Sequence, residues 1–260
     1  MADKNSTDKI RELPKGYTDT PVLPGSTWRV HDIARPAPPV VQPPSFSTQE
    51  RSGDAPSDAV VLFDGSGFDA WAGRDGEAPK WKLVDGGAME VEPRTGDIRT
   101  RASFGSCQLH IEWSAPTAIH AGSQGRGNSG VFLLGLYEVQ VLDGYDNPTY
   151  ADGLTAAIYG QHPPLVNACV PPGQWHVYDI VFESPVYRGD ELATPAFMTV
   201  FHNGLLAHHR QQLQGPTQHR QLASYDDPHG PEGPLTLQDH GDRVRFRNIW
   251  IRPLQRFRAE

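Results

Sequence analysis

The chain has 260 residues and a formal net charge of −8, a length that suits one sizeable domain. The acidic balance excludes the basic footprint that nucleic-acid-binding proteins carry. No apolar run reaches about 18 residues, so the sequence predicts no membrane-spanning helix.

The start of the chain, residues 1–6, has charges but no apolar stretch after them. This pattern predicts that no signal peptide is present and that the protein is cytoplasmic. A periplasmic or secreted location is the alternative if a leader has been removed.

Residues 1–57 are predicted to form an extended, Pro-rich arm and linker that wraps on the main domain. Proline excludes regular helix and most ladder pairing. Within the arm, residues 28–32 predict a short strand or an anchored turn, with Trp28 as a packing anchor. The prolines of the arm are Pro14, Pro21, Pro24, Pro36, Pro38, Pro39, Pro43 and Pro44.

A single domain is predicted over residues 58–260, where short apolar segments alternate with turn residues. Glycine (26) and proline (24) are frequent, and no segment has the periodicity of an amphipathic helix. These features predict a mainly-β antiparallel sandwich or jelly roll. The predicted strands are 60–63, 81–84, 88–91, 108–113, 129–133, 137–142, 175–182, 196–201, 205–209, 233–238 and 244–251.

The two cysteines, Cys107 and Cys169, are too few for a disulfide framework, and neither has the spacing of a metal ligand. We expect two buried thiols, with a single disulfide as the alternative. Between the cysteines, residues 145–172 form a long loop rich in Pro and Gly, and loops of this length are often functional.

Alternation along residues 137–142 places Glu138 and Gln140 side by side on one face, while Val139 and Val141 face the core. The alternative is an ordinary solvated face. Asn128 lies among glycines that permit close approach of a ligand, and we expect it on the surface that carries Glu138. A plain turn is the alternative.

Gln238 and His240 share a face by the same alternation, and imidazole suits general acid–base chemistry near neutral pH. In the last strand, alternation places Arg247 in line with Ile249 and Ile251. An arginine there is expected to pair with a carboxylate or to bind a polar substrate.

Two weaker clusters have structural interpretations. Residues 143–147 with Asp152 are interpreted as a polar turn, with an oxygen-liganded cation site as the alternative. Four further histidines are expected to be solvent-exposed loop residues: His208, His209, His219 and His229.

Four ordered segments together resemble the 3-keto-disaccharide hydrolase family, which was long catalogued as a domain of unknown function. The resemblance covers roughly residues 60–254 and implies a concanavalin-like jelly roll. It also implies a carbohydrate substrate, a glycoside already oxidised to a ketone at C3. The segments are 127–132, 137–143, 233–241 and 244–249.

The resemblance implies elimination of the C1 oxygen after removal of the C2 proton, followed by addition of water. Catalysis is assigned to His240 as an acid/base and to Glu138 as a second acid/base or metal ligand. A divalent metal ion is the one cofactor implied, with Glu138 and His240 as its candidate ligands. Substrate binding is assigned to Asn128, Gln140, Arg247, Gln238, and the loop residues Tyr159 and His162.

Two other functions stay open, as does the oligomeric state. Laminarinase-type glycoside hydrolases carry Glu-x-Asp-x-x-Glu on one strand, where this chain has Glu138, Gln140 and Asp143, so an amide replaces the central carboxylate. A non-catalytic carbohydrate-binding module would instead use exposed aromatic residues such as Trp113 and Trp250.

Overall fold

Antiparallel β-sheet makes up nearly all the regular structure of the computed structural model, which describes residues 15–254. Two short 3₁₀ helices, Ser123–Gly125 and Ala151–Gly153, interrupt the strands. The strands are β1 (Val60–Phe63), β2 (Trp71–Gly73), β3 (Lys82–Val84), β4 (Ala88–Glu90), β5 (Ile98–Phe104), β6 (Cys107–Ser114), β7 (Ser129–Leu133), β8 (Tyr137–Val141), β9 (His176–Glu183), β10 (Val186–Arg188), β11 (Glu191–Thr194), β12 (Phe197–His202), β13 (Leu205–Gln212), β14 (Gly233–Leu237) and β15 (Arg245–Pro253).

The strands form two main sheets and one small ribbon. An eight-stranded sheet has the order β13-β12-β9-β6-β15-β4-β3, with β1 also paired to β15. A five-stranded sheet has the order β2-β5-β14-β7-β8, and β10 pairs with β11. Every pairing is antiparallel, and the predicted mainly-β sandwich of jelly-roll type is confirmed.

The core lies between the two main sheets and follows the period-2 alternation of their strands. In β9, Tyr178, Ile180 and Phe182 are buried while the residues between them are partly exposed. In β8, Val139 and Val141 enter the same core. The prediction that Val139 and Val141 face the core is therefore correct.

The predicted alternation of the last strand is wrong beyond Arg247. Asn248 has a φ of 46°, and the register of β15 against β6 shifts between Arg247 and Trp250. This bulge turns Ile249 and Ile251 into the core, while Arg247 points away from them. A bulge adds one residue to one strand, so a strict alternation of faces fails across it.

Arg247 is buried on the outer side of the eight-stranded sheet, where its Nε lies 2.7 Å from Oε2 of Glu112. Asn248 Nδ2 donates to the other oxygen of Glu112 at 2.7 Å. Residues 45–53, named here the strap, cover this pair: Ser47 Oγ donates to Glu112, and the carbonyl of Thr48 accepts from Arg247. The carboxylate partner expected for Arg247 is therefore Glu112.

Residues 15–40 group into a unit of their own, whereas residues 41–57 group with the sandwich. In the smaller unit, isolated bridges join Tyr17 to Asp32 and Val22 to Arg29. Residues 28–32 form an anchored turn, in which Trp28 N donates to Ser26 Oγ at 3.0 Å. Pro14 and residues 1–6 lie outside the described residues, and the predicted boundary at residue 57 stays a prediction.

Both cysteines are free thiols, Cys107 buried and Cys169 half-buried, so the alternative of a disulfide is not realised. Within residues 15–254, no helix has the length and the apolar character required to cross a bilayer.

Removing the charge of Glu112 should strongly destabilise the fold. The variant Glu112→Gln leaves the Arg247 guanidinium buried without its carboxylate, which costs about 3–5 kcal/mol. Glu183→Gln is the matched control, because Glu183 pairs with Arg210 on the surface and such pairs contribute at most about 1 kcal/mol. Urea unfolding measures both losses, and equal losses would contradict the role of the pair.

Candidate active site

One face of the five-stranded sheet, together with the loops around it, forms an open cavity of about 360 Å³. The cavity brings together most of the residues predicted from the sequence. Its lining is Gln124, Asn128, Phe132, Glu138, Gln140, Tyr150, Tyr159, Thr217, His219, Gln238 and His240.

Strand pairing explains why residues far apart in the sequence meet here. In the β7–β8 hairpin, Gly130 lies opposite Gln140 and Phe132 lies opposite Glu138. On the other side of β7, Gln238 N donates to the carbonyl of Gly130 at 3.1 Å as the chain leaves β14. The end of β14 is thereby fixed beside the start of β7, which places His240 near Asn128.

Gly130 leaves the space that the carboxyl group of Glu138 occupies. A Cβ at this position would lie 2.5 Å from Glu138 Oε1 and 2.7 Å from the ring of Phe132. Both distances are shorter than real contacts, so a larger residue would displace the carboxyl. Strand β7 therefore needs glycine at this point for a steric reason.

Glu138 is a buried acid without a partner. Its side chain is 4% exposed, and its carboxyl makes no hydrogen bond with any residue of the described range 15–254. Burial, with a smaller contribution from the negative charge of Asp97, raises the pKa of Glu138 to about 8. The carboxyl therefore holds its proton at neutral pH and can donate it to a substrate oxygen.

Three amides form a hydrogen-bonded floor beside Glu138. Gln140 Nε2 donates to Asn128 Oδ1 at 3.3 Å and to Gln124 Oε1 at 3.2 Å. Asn128 Nδ2 in turn donates to the backbone carbonyl of Gln124 at 2.6 Å. Asn128 and Gln140 are almost fully buried, so these bonds fix the amide orientations before a ligand arrives.

His240 lies at the rim of the cavity, in an exposed loop that its acidic neighbours hold in place. Asp239 accepts from Gly96 N at 2.9 Å, and Asp242 accepts from Asn128 N at 2.9 Å. The imidazole of His240 makes no hydrogen bond within the described part of the chain. Its nitrogens are therefore available to a ligand.

A chain of hydrogen bonds crosses the opposite wall. Tyr150 Oη lies 3.0 Å from Tyr159 Oη, which lies 3.0 Å from Nδ1 of His219. Burial and the hydrogen bond with Tyr150 raise the pKa of Tyr159, so its hydroxyl stays protonated. His219 is exposed, as predicted for a loop histidine, but it lines the cavity.

Two predicted binding residues are not at the cavity. His162 lies outside the lining, and its Nε2 lies 3.1 Å from the carbonyl of Gln212. Arg247 belongs to the other main sheet, where β15 pairs with β6 and Arg247 lies opposite Glu112. A third expectation also fails: His208 is buried on β13, where its Nε2 lies 2.9 Å from the carbonyl of Ala156.

The cavity residues do not form a cluster of strong metal ligands. Across the described residues, Glu138 and His240 belong to no group of three His, Cys, Asp or Glu side chains that surround one ion position. In residues 143–147, Asp143 pairs with Arg126 at 2.6 Å, as expected for a braced polar turn.

The features required by the two alternative functions lie elsewhere. Trp113 is fully buried in the core, and Trp250 is buried against the ring of His110, so neither lies on an exposed binding face. Asp143 is held by Arg126, which leaves Glu138 as the one carboxyl group among the cavity-lining residues. A retaining glycosidase needs two carboxyls flanking the bond.

Several lining residues were missed from the sequence. Phe132 shares a face with Gly130 by alternation, so that signal was available in the strand itself. The others lie on loops whose closure depends on the whole fold, and no local pattern distinguishes them. These residues are Gln124, Tyr150, Thr217 and His219.

The sequence matches, over residues 58–252, a protein family described as a 3-keto-alpha-glucoside-1,2-lyase-like domain. A 3-keto-disaccharide hydrolase from Bacteroides thetaiotaomicron is 27% identical over 248 residues, covering 75% of this chain and 78% of its own. The family match spans the strands that build the cavity.

Solved structures show the same fold. A crystal structure from Parabacteroides distasonis, provisionally described as a glycosyl hydrolase, is 41% identical, with a TM-score of 0.81 over 93% of this chain and 100% of its own. A second protein from that organism, described in the same way, is 19% identical with a TM-score of 0.55, covering 76% and 94% of the two chains. At that identity the likeness shows the fold alone.

The protonation of Glu138 is testable through stability. A buried acid with a raised pKa is penalised when it ionises, so the wild type should lose stability as pH rises from about 4.5 towards 8. Glu138→Gln removes that penalty, so above pH 8 its free energy of unfolding should exceed that of the wild type by a few kcal/mol at most. This gap in unfolding free energy should close as the pH falls towards 4.5. Urea unfolding across this range measures the gap, and Glu183→Gln, on the surface, should show no such trend. A gap independent of pH would mean that Glu138 is ionised throughout.

Proposed function

The chain belongs to the 3-keto-disaccharide hydrolase family, and from that premise we propose that it cleaves glycosides whose sugar carries a ketone at C3. One observation carries the proposal: a proton-bearing carboxyl, Glu138, and an unpartnered imidazole, His240, line the same cavity. The two groups supply the acid and the base that elimination next to a ketone requires.

In the first step His240 takes the proton from C2, which the neighbouring C3 carbonyl makes acidic. The electron pair left on C2 forms an enolate with the C3 oxygen. As the enolate collapses to a C1–C2 double bond, the bond between C1 and its oxygen breaks. Glu138 gives its proton to the departing oxygen, and the products are an alcohol and an unsaturated 3-keto sugar.

In the second step water adds to C1 of the unsaturated sugar. Glu138, now ionised, accepts a proton from the water, and the new enolate takes a proton at C2 from protonated His240. Both residues return to their starting states, and the sum of the two steps is hydrolysis. If the unsaturated sugar leaves before water adds, the same site acts as a lyase.

Charge develops on the C3 oxygen in both steps, and preorganised donors lower the cost of that charge. The Gln238 side chain makes no hydrogen bond with other described residues, so its amide N–H groups are available for this oxygen. Asn128 and Gln140 hold the neighbouring hydroxyls through their fixed amides. These steps use the chain's own side chains.

A second cavity of about 500 Å³ adjoins the first and shares Tyr150, Tyr159 and His219 with it. We place the sugar in the first cavity, beside Glu138, and the leaving group in the second. Leu222, which is 89% exposed, supplies an apolar contact there. The other lining residues are Asp152, Gly160, Gln218, Arg220 and Gln221.

The direct test is release of sugar from 3-keto-trehalose or from a 3-keto-glucoside, with and without EDTA. Glu138→Gln and His240→Ala should each lower kcat by about 10²–10⁴-fold, the usual contribution of a positioned acid or base. His209→Ala, an exposed residue on β13, should leave the rate unchanged.

Full activity in either site variant would refute the assigned roles. No release from any 3-keto-glycoside, alongside binding of an unoxidised glycan, would favour a binding module instead. Loss of release with EDTA at an unchanged Tm, restored by a divalent ion, would bring the predicted metal into the reaction.

Leu222→Ser should raise KM for 3-keto-glycosides with large apolar leaving groups by about tenfold, because an apolar contact of this size contributes roughly 1.5 kcal/mol. A methyl 3-keto-glucoside should be unaffected, and kcat should change little, since Leu222 touches no reacting group. Leu205→Ser is the control, at the exposed start of β13 and outside both cavities. An equal rise for both substrates would argue against a leaving-group site.

A further inference from the structure

Away from the carbohydrate cavity, three metal-binding side chains converge from three separate segments. Cys169 lies in the long loop, His176 begins β9 and His202 ends β12. Their ligand atoms all lie within 4.8 Å of one another. In the part of the chain that the structure describes, this is the one group of three such ligands that could hold an ion.

Both imidazoles are buried and stack against each other, with ring centroids 5.1 Å apart. Metal ions bind imidazole through a neutral ring nitrogen. Each ring places one such nitrogen in the cluster.

The histidine pair is incompletely satisfied by protein groups. His176 Nδ1 lies 2.8 Å from His202 Nε2, so the two rings share one proton. His202 Nδ1 is buried and has no partner among the described residues. An ion between the two facing nitrogens would take the place of the proton that they share, and that proton would move to a ring nitrogen on the far side of the pair.

The loop that carries Cys169 is already held at these strand ends. Asn203 Nδ2 donates to the carbonyl of Ala168 at 2.8 Å, and Asn203 Oδ1 accepts from Val177 N at 2.8 Å. The asparagine that follows His202 thus joins the residue before Cys169 to the residue after His176. These hydrogen bonds fix the backbone next to Cys169 and His176, and so hold the thiol close to the imidazoles.

We propose that Cys169, His176 and His202 bind one Zn²⁺ ion. A thiolate with two imidazoles is a donor set typical of zinc and unsuited to Ca²⁺ or Mg²⁺. Binding releases the thiol proton of Cys169, because the thiolate is the form that binds zinc. Zinc–nitrogen bonds of about 2.0–2.1 Å require the two imidazole nitrogens to separate by roughly half an ångström.

The ion would fasten the long loop to the eight-stranded sheet. Tyr178, two residues after His176 on the same face of β9, donates to the carbonyl of Gln140 at 2.7 Å. The proposed ion therefore supports, from behind, the strand that carries Glu138. Its role is structural, and it does not depend on the reaction proposed for the cavity.

Metal-free full-length protein, prepared with EDTA, is titrated with Zn²⁺ and separately with Co²⁺ as a spectroscopic probe. We expect one equivalent of Zn²⁺ to remain after desalting and to raise Tm. With Co²⁺ we expect a thiolate-to-metal charge-transfer band in the near ultraviolet. Cys169→Ser, at a half-buried position, should fold but lose the band, most of the retained zinc and the rise in Tm.

Cys107→Ala is the matched control, because Cys107 is the other free thiol and lies outside the cluster. It should behave as wild type in all three measurements. Folded wild type that retains no zinc and shows no charge-transfer band would overturn the proposal. So would a Cys169→Ser variant with an unchanged band and stoichiometry, since the ion would then lie elsewhere.

Discussion

The free edge of β8 is the constraint on which the candidate site depends. This strand ends the five-stranded sheet, and an open edge exposes unpaired backbone groups. The long loop closes it: Gln140 N donates to Ala157 O at 2.9 Å, and Tyr159 N donates to Glu138 O at 3.2 Å. The edge strand is thereby buried on both faces. Glu138, on the outer face of β8, is therefore shielded from solvent but has no hydrogen-bond partner for its carboxyl. The same backbone hydrogen bonds place Tyr159 in the cavity wall.

The long loop also connects the cavity to the other sheet. Between Tyr145 and Pro172 it contributes Tyr150 and Tyr159 to the cavity wall and then Cys169 to the histidine pair. Because the loop has little secondary structure, its position rests on contacts at its two ends and along β8. A change that loosens one end of the loop should also shift the other end, because the backbone of β8 and the Tyr178–Gln140 hydrogen bond connect them.

Period-2 alternation correctly predicted which side chains share a face wherever a strand is regular. It placed Glu138 with Gln140 because no bulge interrupts β8. Gln238 and His240 also both line the cavity, although they lie in the loop that follows β14. Alternation failed for Arg247, where one residue in the left-handed region, Asn248, shifts every later side chain to the other face. Loop residues such as His219 and Gln124 reach the cavity only through long-range closure, which leaves no periodic signal in the sequence.

Two buried glutamates in this fold have opposite protonation. Burial alone would raise the pKa of Glu112, but hydrogen bonds from His110, Ser47, Asn248 and Arg247 outweigh it, so the pKa falls below its usual value. Glu138 is also buried but accepts no such hydrogen bonds, so its pKa rises to about 8. An arginine in the cavity would ionise Glu138 and remove the proton that a leaving oxygen needs. The location of Arg247 on the other main sheet, beside Glu112, is therefore a condition of the acid chemistry proposed for Glu138.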